Sequence, residues 1–125
     1  MERVVGIGGV FLKARDPKAL AAWYREHLGV PVEAGQTYAT LTSAAPGEAT
    51  VWSAFPSDTA YFGPGTSPFM VNYRVRDLDA MLAQLRAAGA VVEDKVEDYP
   101  YGRFGWATDP EGNRFELWQP KPTTV

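Results

Sequence analysis

The sequence predicts a chain of mixed helix and strand in which one unit, strand–helix–strand–strand–strand, is used twice. Three observations predict it. The helix-start signals at Asp16 and Asp77 stand 61 residues apart, and the helix-stop glycines Gly29 and Gly89 stand 60 apart. The apolar runs at 51–56 and 115–120, both ending in proline, repeat at a spacing of 64. Starts, stops and strand endings therefore agree on one doubling.

Each element has a local reason. Residues 3–14, RVVGIGGVFLKA, are rich in strand formers. Asp16 then precedes Pro17, a capping side chain followed by a residue preset for the first helical turn. Leu20, Trp23, Tyr24 and Leu28 recur at helical spacing before Gly29 stops the helix. The order returns with FMVNYRVR at 69–76 as a strand and Asp77 opening a second helix. Leu78, Met81, Leu82 and Leu85 form its buried face, and Gly89 closes it. After each stop comes a short apolar run ending in glutamate, at 30–33 and 90–93, read as a strand. Between the units, residues 57–68 are rich in Gly, Pro and Ser yet carry Tyr61 and Phe62, so this segment is expected to pack back on the fold. Residues 97–103 read as an exposed loop entering a strand.

Composition narrows the function classes. With 125 residues the chain is long enough for one domain with its own core. A net charge of −3 without a basic block argues against nucleic acid as a partner. The absence of cysteine excludes disulfides, thiolate metal sites and thiol nucleophiles. No apolar run reaches the roughly 20 residues of a membrane span, and a cytoplasmic protein is the expectation. The glycines at 6, 8 and 9 lie in or before the first strand, not between strand and helix, so they are not a nucleotide loop. The single histidine, His27, sits at a helix C-terminus, where the helix dipole favours a solvated imidazole.

The densest signal is GRFGWATDPEGNRFELWQP at 102–120. Pro110 and Gly112 punctuate a tight hairpin, in which Asp109 or Asn113 bonds the local backbone. Period-two alternation beyond it places Arg114, Glu116 and Trp118 on one face and Phe115 and Leu117 on the other. A carboxylate in mid-strand between an arginine and a tryptophan is a candidate site.

FLKARDPKALAAWYREHLGVPVE, YRVRDLDAMLAQLRAAGAVV and DPEGNRFELWQP together make the chain resemble the vicinal oxygen chelate superfamily of glyoxalases, bleomycin-resistance proteins and extradiol dioxygenases. The resemblance implies an α+β fold of two βαβββ modules, about 1–56 and 69–120 with a linker at 57–68, forming one domain whose mixed sheet curls around a shared cleft. It also implies a homodimer. In metal-using relatives four slots, one on the first and one on the last strand of each module, carry histidine or glutamate. Here the slot seven residues before Asp16 is Gly9, and the one before Asp77 is Met70. The last-strand slots are Glu116 and, at the spacing of 64, Trp52. One carboxylate cannot hold a catalytic ion, which needs about three N or O ligands. The expectation is therefore a cleft with neither metal nor cofactor.

Alternation then lines the expected cleft with Gly9, Phe11 and Lys13, with Trp52 and Ala54, with Met70, Asn72, Arg74 and Arg76, and with Arg114, Glu116 and Trp118, aromatic walls with a few polar groups. Glu116 is open to two readings, a structural ion pair with Arg74 or Arg103, or an acid/base group. Asn72, a buried amide, needs partners, from a ligand or from a neighbouring strand. The leading functional expectation is metal-independent binding of a small, partly aromatic molecule. The alternatives are an isomerase or lyase using Glu116 as general acid/base, and a dimeric scaffold with a vestigial cleft.

Overall fold

The computed structural model describes residues 1–42 and 49–121. The chain divides into two compact units, Gly8–Val71, and Met1–Ile7 together with Asn72–Val125. The division runs through two strands, β1 (Val4–Ala14) and β4 (Phe69–Val75).

In the unit Gly8–Val71, β1 is followed by α1 (Pro17–Leu28), β2 (Tyr38–Thr42) and β3 (Ala49–Pro56). β1 runs parallel to β3, with Phe11 opposite Ser53, and β2 runs antiparallel to β3, with Ala39 opposite Trp52. α1 starts where its cap predicts. The Asp16 carboxylate accepts from the Ala19 amide at 3.1 Å, and Gly29 ends the helix at φ 68°. Its one buried residue, Ala21, packs with Ala14, Ala39 and Ala54 of the strands around Val32 and Trp52. Leu20 and Tyr24 join this core, whereas Trp23 and Leu28 are exposed. Residues 30–33, expected as a strand, form none. Pro31 has no amide hydrogen for a ladder, and the Val32 amide donates to Val30 instead. The opposite side of β1 and β3 carries Phe11, Phe62 and Met70, with Val51, Phe55 and Tyr61 against them. The aromatic pair in segment 57–68 is thus part of a core, with the Tyr61 ring stacked on Phe55 at 5.4 Å.

In the other unit β4 is followed by α2 (Leu78–Ala87), β5 (Val91–Val92), β6 (Glu97–Tyr99), β7 (Gly102–Thr108) and β8 (Arg114–Pro120). β4 runs parallel to β8, β8 antiparallel to β7, and β5 and β6 each pair antiparallel with β7. Parallel first-to-last pairing with an antiparallel neighbour repeats the pattern of β1, β3 and β2, although among the described residues two strands follow α1 and four follow α2 where three were expected after each. The expected loop at 97–103 is β6 and its turn into β7. Tyr99 and Tyr101 pack their rings on Phe104, which gives this stretch an apolar reason to pair. The Asp77 side chain caps α2 through the Ala80 amide at 3.0 Å, and the Leu78 amide donates to Gln119 on β8. Val75, Leu78, Met81, Leu82 and Leu117 form the core beneath α2. Gly105 lets the helix come close, because a Cβ there would lie 3.2 Å from a Leu82 methyl.

Between β7 and β8 the hairpin closes as its residues predict. The Asp109 carboxylate accepts from the Glu111 and Asn113 amides, both at 2.9 Å, and Gly112 takes φ 86°. This turn sets the register that puts Trp106 opposite Glu116 and Phe104 opposite Trp118.

Candidate functional site

The α2-free face of the β4–β8–β7 ladder carries the candidate site. Phe115 and Leu117 point into the α2 core, as do Tyr73 and Val75. Arg114, Glu116 and Trp118 therefore share the other face with Asn72 and Arg74, as alternation requires. Register aligns them in two rows: Trp106, Glu116 and Asn72 in one, and Phe104, Trp118 and Arg74 in the next.

The first row is a hydrogen-bonded chain. Glu116, 1% exposed, accepts from the Asn72 amide nitrogen at 2.5 Å and from the Trp106 indole N–H at 2.9 Å, one donor on each carboxylate oxygen. The two N–H groups stand in for the water this carboxyl loses on burial. Asn72 is 2% exposed, and its Oδ1 has no hydrogen-bond partner among the described residues. An ionised carboxylate only accepts, so Glu116 dictates which end of the Asn72 amide faces it. The NH2 group turns towards Glu116 and the oxygen turns away.

The second row is aromatic and cationic. Phe104 and Trp118 stack at 5.9 Å with planes 3° apart, and the Trp118 indole donates to the Tyr101 carbonyl at 3.2 Å. Arg74 is buried and donates to the Ile7 carbonyl at 2.9 Å. Gly6 leaves room for that guanidinium, since any Cβ at this position would run into it. The structure thus gives Gly6 a packing role.

At the rim Arg114 is bound by Glu93 at 2.7 Å and lies over the Trp106 ring at 5.3 Å. The Arg114 hydrogen bond holds the Glu93 carboxyl below its usual range, outweighing desolvation. A carboxylate depressed in the folded state stabilises the fold above its unfolded pKa, near 4.3 for glutamate, and loses that contribution as pH falls through its folded value. Glu93→Gln should therefore lose less melting temperature than the wild type between about pH 6 and pH 3. Equal losses by circular dichroism would show that the pair contributes nothing.

Of the residues expected to line the cleft, Asn72, Arg74, Glu116 and Trp118 come together on this face. Phe11 and Met70 lie in the unit Gly8–Val71, packed on Phe62. Trp52 and Ala54 are corrections. Both belong to the α1 core, and the Trp52 ring lies 4.7 Å from Tyr24. The spacing of 64 is one residue too long. Phe11 and Asn72 each stand five residues before their helix caps, and their partners are Ser53 and Glu116. Ser53 is therefore the counterpart of Glu116, and a one-residue slip in a strand reverses the face. The suggested pairing of Arg103 with Glu116 is also replaced, because Arg103 binds Asp79 of α2 with two hydrogen bonds of 3.0 Å. Trp106, which the sequence reading did not single out, donates its indole N–H to Glu116. Counting outward from the hairpin would have found it.

These residues do not fit a divalent cation. Among the described residues no three of His, Cys, Asp and Glu gather into a metal-binding group. Both oxygens of Glu116 already accept N–H donors.

Residues 9–118 match the glyoxalase-like domain family. The chain belongs to that family. Solved structures agree on the fold of this glyoxalase-like chain. Methylmalonyl-CoA epimerase from Mycobacterium tuberculosis is 24% identical, with a TM-score of 0.64 over 95% of this chain and 90% of that one. A single-residue variant of Streptomyces coelicolor methylmalonyl-CoA epimerase in complex with 2-nitronate-propionyl-CoA is 17% identical, with a TM-score of 0.76 over 98% and 99%. A glyoxalase/bleomycin resistance protein/dioxygenase superfamily member from Vibrio splendidus 12B01 gives 17% identity and a TM-score of 0.58 over 94% and 98%. Comparison with curated protein sequences gives no match. No helix among the described residues of this glyoxalase-like protein is long and apolar enough to cross a membrane.

Proposed function

We propose that this glyoxalase-like protein binds a small, partly aromatic molecule, without a metal, on the face carrying Asn72, Arg74, Glu116 and Trp118. The observation that carries the reading is the unpartnered Asn72 Oδ1. A buried acceptor left unsatisfied costs about 1–3 kcal/mol, and such a cost persists where it serves a purpose. The stacked Phe104–Trp118 pair and the Trp106 ring supply the apolar surroundings. A thermal-shift screen of small aromatic compounds tests it. A rise in melting temperature that grows with the logarithm of ligand concentration is expected, equivalent to about 2.7 kcal/mol at a ligand concentration 100 times Kd. Flat melting curves across the screen would overturn the reading. Homodimerisation, expected from the family resemblance, and a cytoplasmic location, expected because no apolar run reaches the length of a membrane span, belong to the same proposal. A light-scattering mass of one chain would remove the first.

The second reading, an isomerase with Glu116 as acid/base, draws on the buried carboxylate and on the fold shared with methylmalonyl-CoA epimerases. It predicts deuterium uptake from D2O at the α-carbon of methylmalonyl-CoA, abolished in Glu116→Gln. Its weakness is geometric, because both oxygens are already engaged. No uptake by the wild type removes that substrate.

A further inference from the structure

We infer that the molecule bound here presents an N–H or O–H donor to Asn72 Oδ1, and that Glu116 is the positioning residue that makes the site read a donor. The inference rests on the binding reading above and names its ligand class. Four observations carry it. Asn72 is buried, its nitrogen lies 2.5 Å from a Glu116 oxygen, and its own oxygen is without a hydrogen-bond partner among the described residues. The other Glu116 oxygen is held at 2.9 Å by the Trp106 indole, which has no acceptor to offer in exchange.

The chain of hydrogen bonds has a fixed polarity. Trp106 donates to Glu116, and Asn72 donates to Glu116, so neither end can reverse while the carboxylate is ionised. The free end of Asn72 is then an acceptor. A ligand acceptor placed there would meet oxygen against oxygen, whereas a ligand donor removes the standing cost of the orphaned oxygen. Oδ1 is closed to solvent in the free protein, so binding requires that it be uncovered.

Glu116→Gln reverses the polarity with almost no change of shape. The Gln oxygen keeps the Trp106 indole, its NH2 faces Asn72, and the Asn72 amide turns over to accept. The outward end of Asn72 becomes NH2, and the site should now read an acceptor. A merely structural Glu116 would leave ligand preference untouched.

The experiment compares two ring-matched pairs, indole with benzofuran and pyrrole with furan, titrated against the wild type and Glu116→Gln by calorimetry or NMR shift. In each pair a ring N–H is replaced by a ring oxygen at nearly constant size. The wild type is expected to bind the N–H ring at least about tenfold more tightly, the equivalent of 1.4 kcal/mol. Glu116→Gln is expected to abolish or invert that ratio while still binding a ring. A wild-type ratio near one, or the same ratio in both proteins, overturns the inference and leaves the binding reading standing. Loss of all binding in a folded Glu116→Gln also counts against it. Failure of all four rings to bind the wild type overturns this inference, and the aromatic screen then decides separately whether the binding reading survives.

Discussion

Glu116→Ala is expected to lower stability by about 3–5 kcal/mol, among the largest effects of any single substitution in this chain. Truncation leaves the Asn72 amide nitrogen and the Trp106 indole N–H in a buried place without their acceptor. Each stranded donor costs roughly 1–3 kcal/mol, and the missing side chain adds a cavity. For a chain of this length the loss amounts to a fall of roughly 10–20 °C in melting temperature. Glu116→Gln should cost far less, because rotation of the Asn72 amide restores every bond in the row. Equal melting temperatures for Glu116→Ala and wild type would show that the row contributes nothing to stability. The comparison of the two variants separates loss of a hydrogen-bond acceptor from loss of charge.

Leu82→Ala is expected to cost about 3–4 kcal/mol by denaturant unfolding. Leu82 is 2% exposed in the α2 core and its methyls lie over the backbone of Gly105 on β7. The helix comes this close only because Gly105 has no side chain, so the cavity opens directly onto the strand. That gives the prediction a second arm. Gly105→Ala alone forces a Cβ against the Leu82 methyls at 3.2 Å and should destabilise. In the Leu82→Ala background the same methyl enters the vacated space and should recover part of the loss. Additive losses in the double variant would contradict the packing described here, since residues in contact couple.

Much of this architecture is legible in the chain because its signals are local. Asp16, Pro17 and Gly29 bound α1, and Asp77 with Leu78, Met81 and Leu82 identifies α2 and its buried face. The hairpin around Asp109 and Gly112 is equally local. Beyond it, the alternation of Arg114, Phe115, Glu116, Leu117 and Trp118 follows from the pleat alone. What local signals lack is register and long-range packing. Trp52 resembles a counterpart of Glu116 because both precede a proline by four residues, yet the ladder pairs Val10 with Trp52 and Asn72 with Glu116. Residues 30–33 have the apolar content of a strand, but Pro31 denies them a donor. Residues 97–103 look polar enough for a loop, but Tyr99 and Tyr101 find Phe104 across the ladder.

Caps, turns and period-two patterns act over a few residues, so the repeated helix signals, the helix boundaries, the hairpin and the family motifs can be read from the chain. Alternation also turns Glu116 away from Leu117. Long-range register and packing place Trp52 in the α1 core, bring the Trp106 and Asn72 donors to Glu116, and leave the Asn72 oxygen without a hydrogen-bond partner among the described residues. Those facts depend on which residues of distant strands stand opposite one another. A shift of one position in a ladder exchanges the two faces of a strand, and no local signal in the chain carries that information.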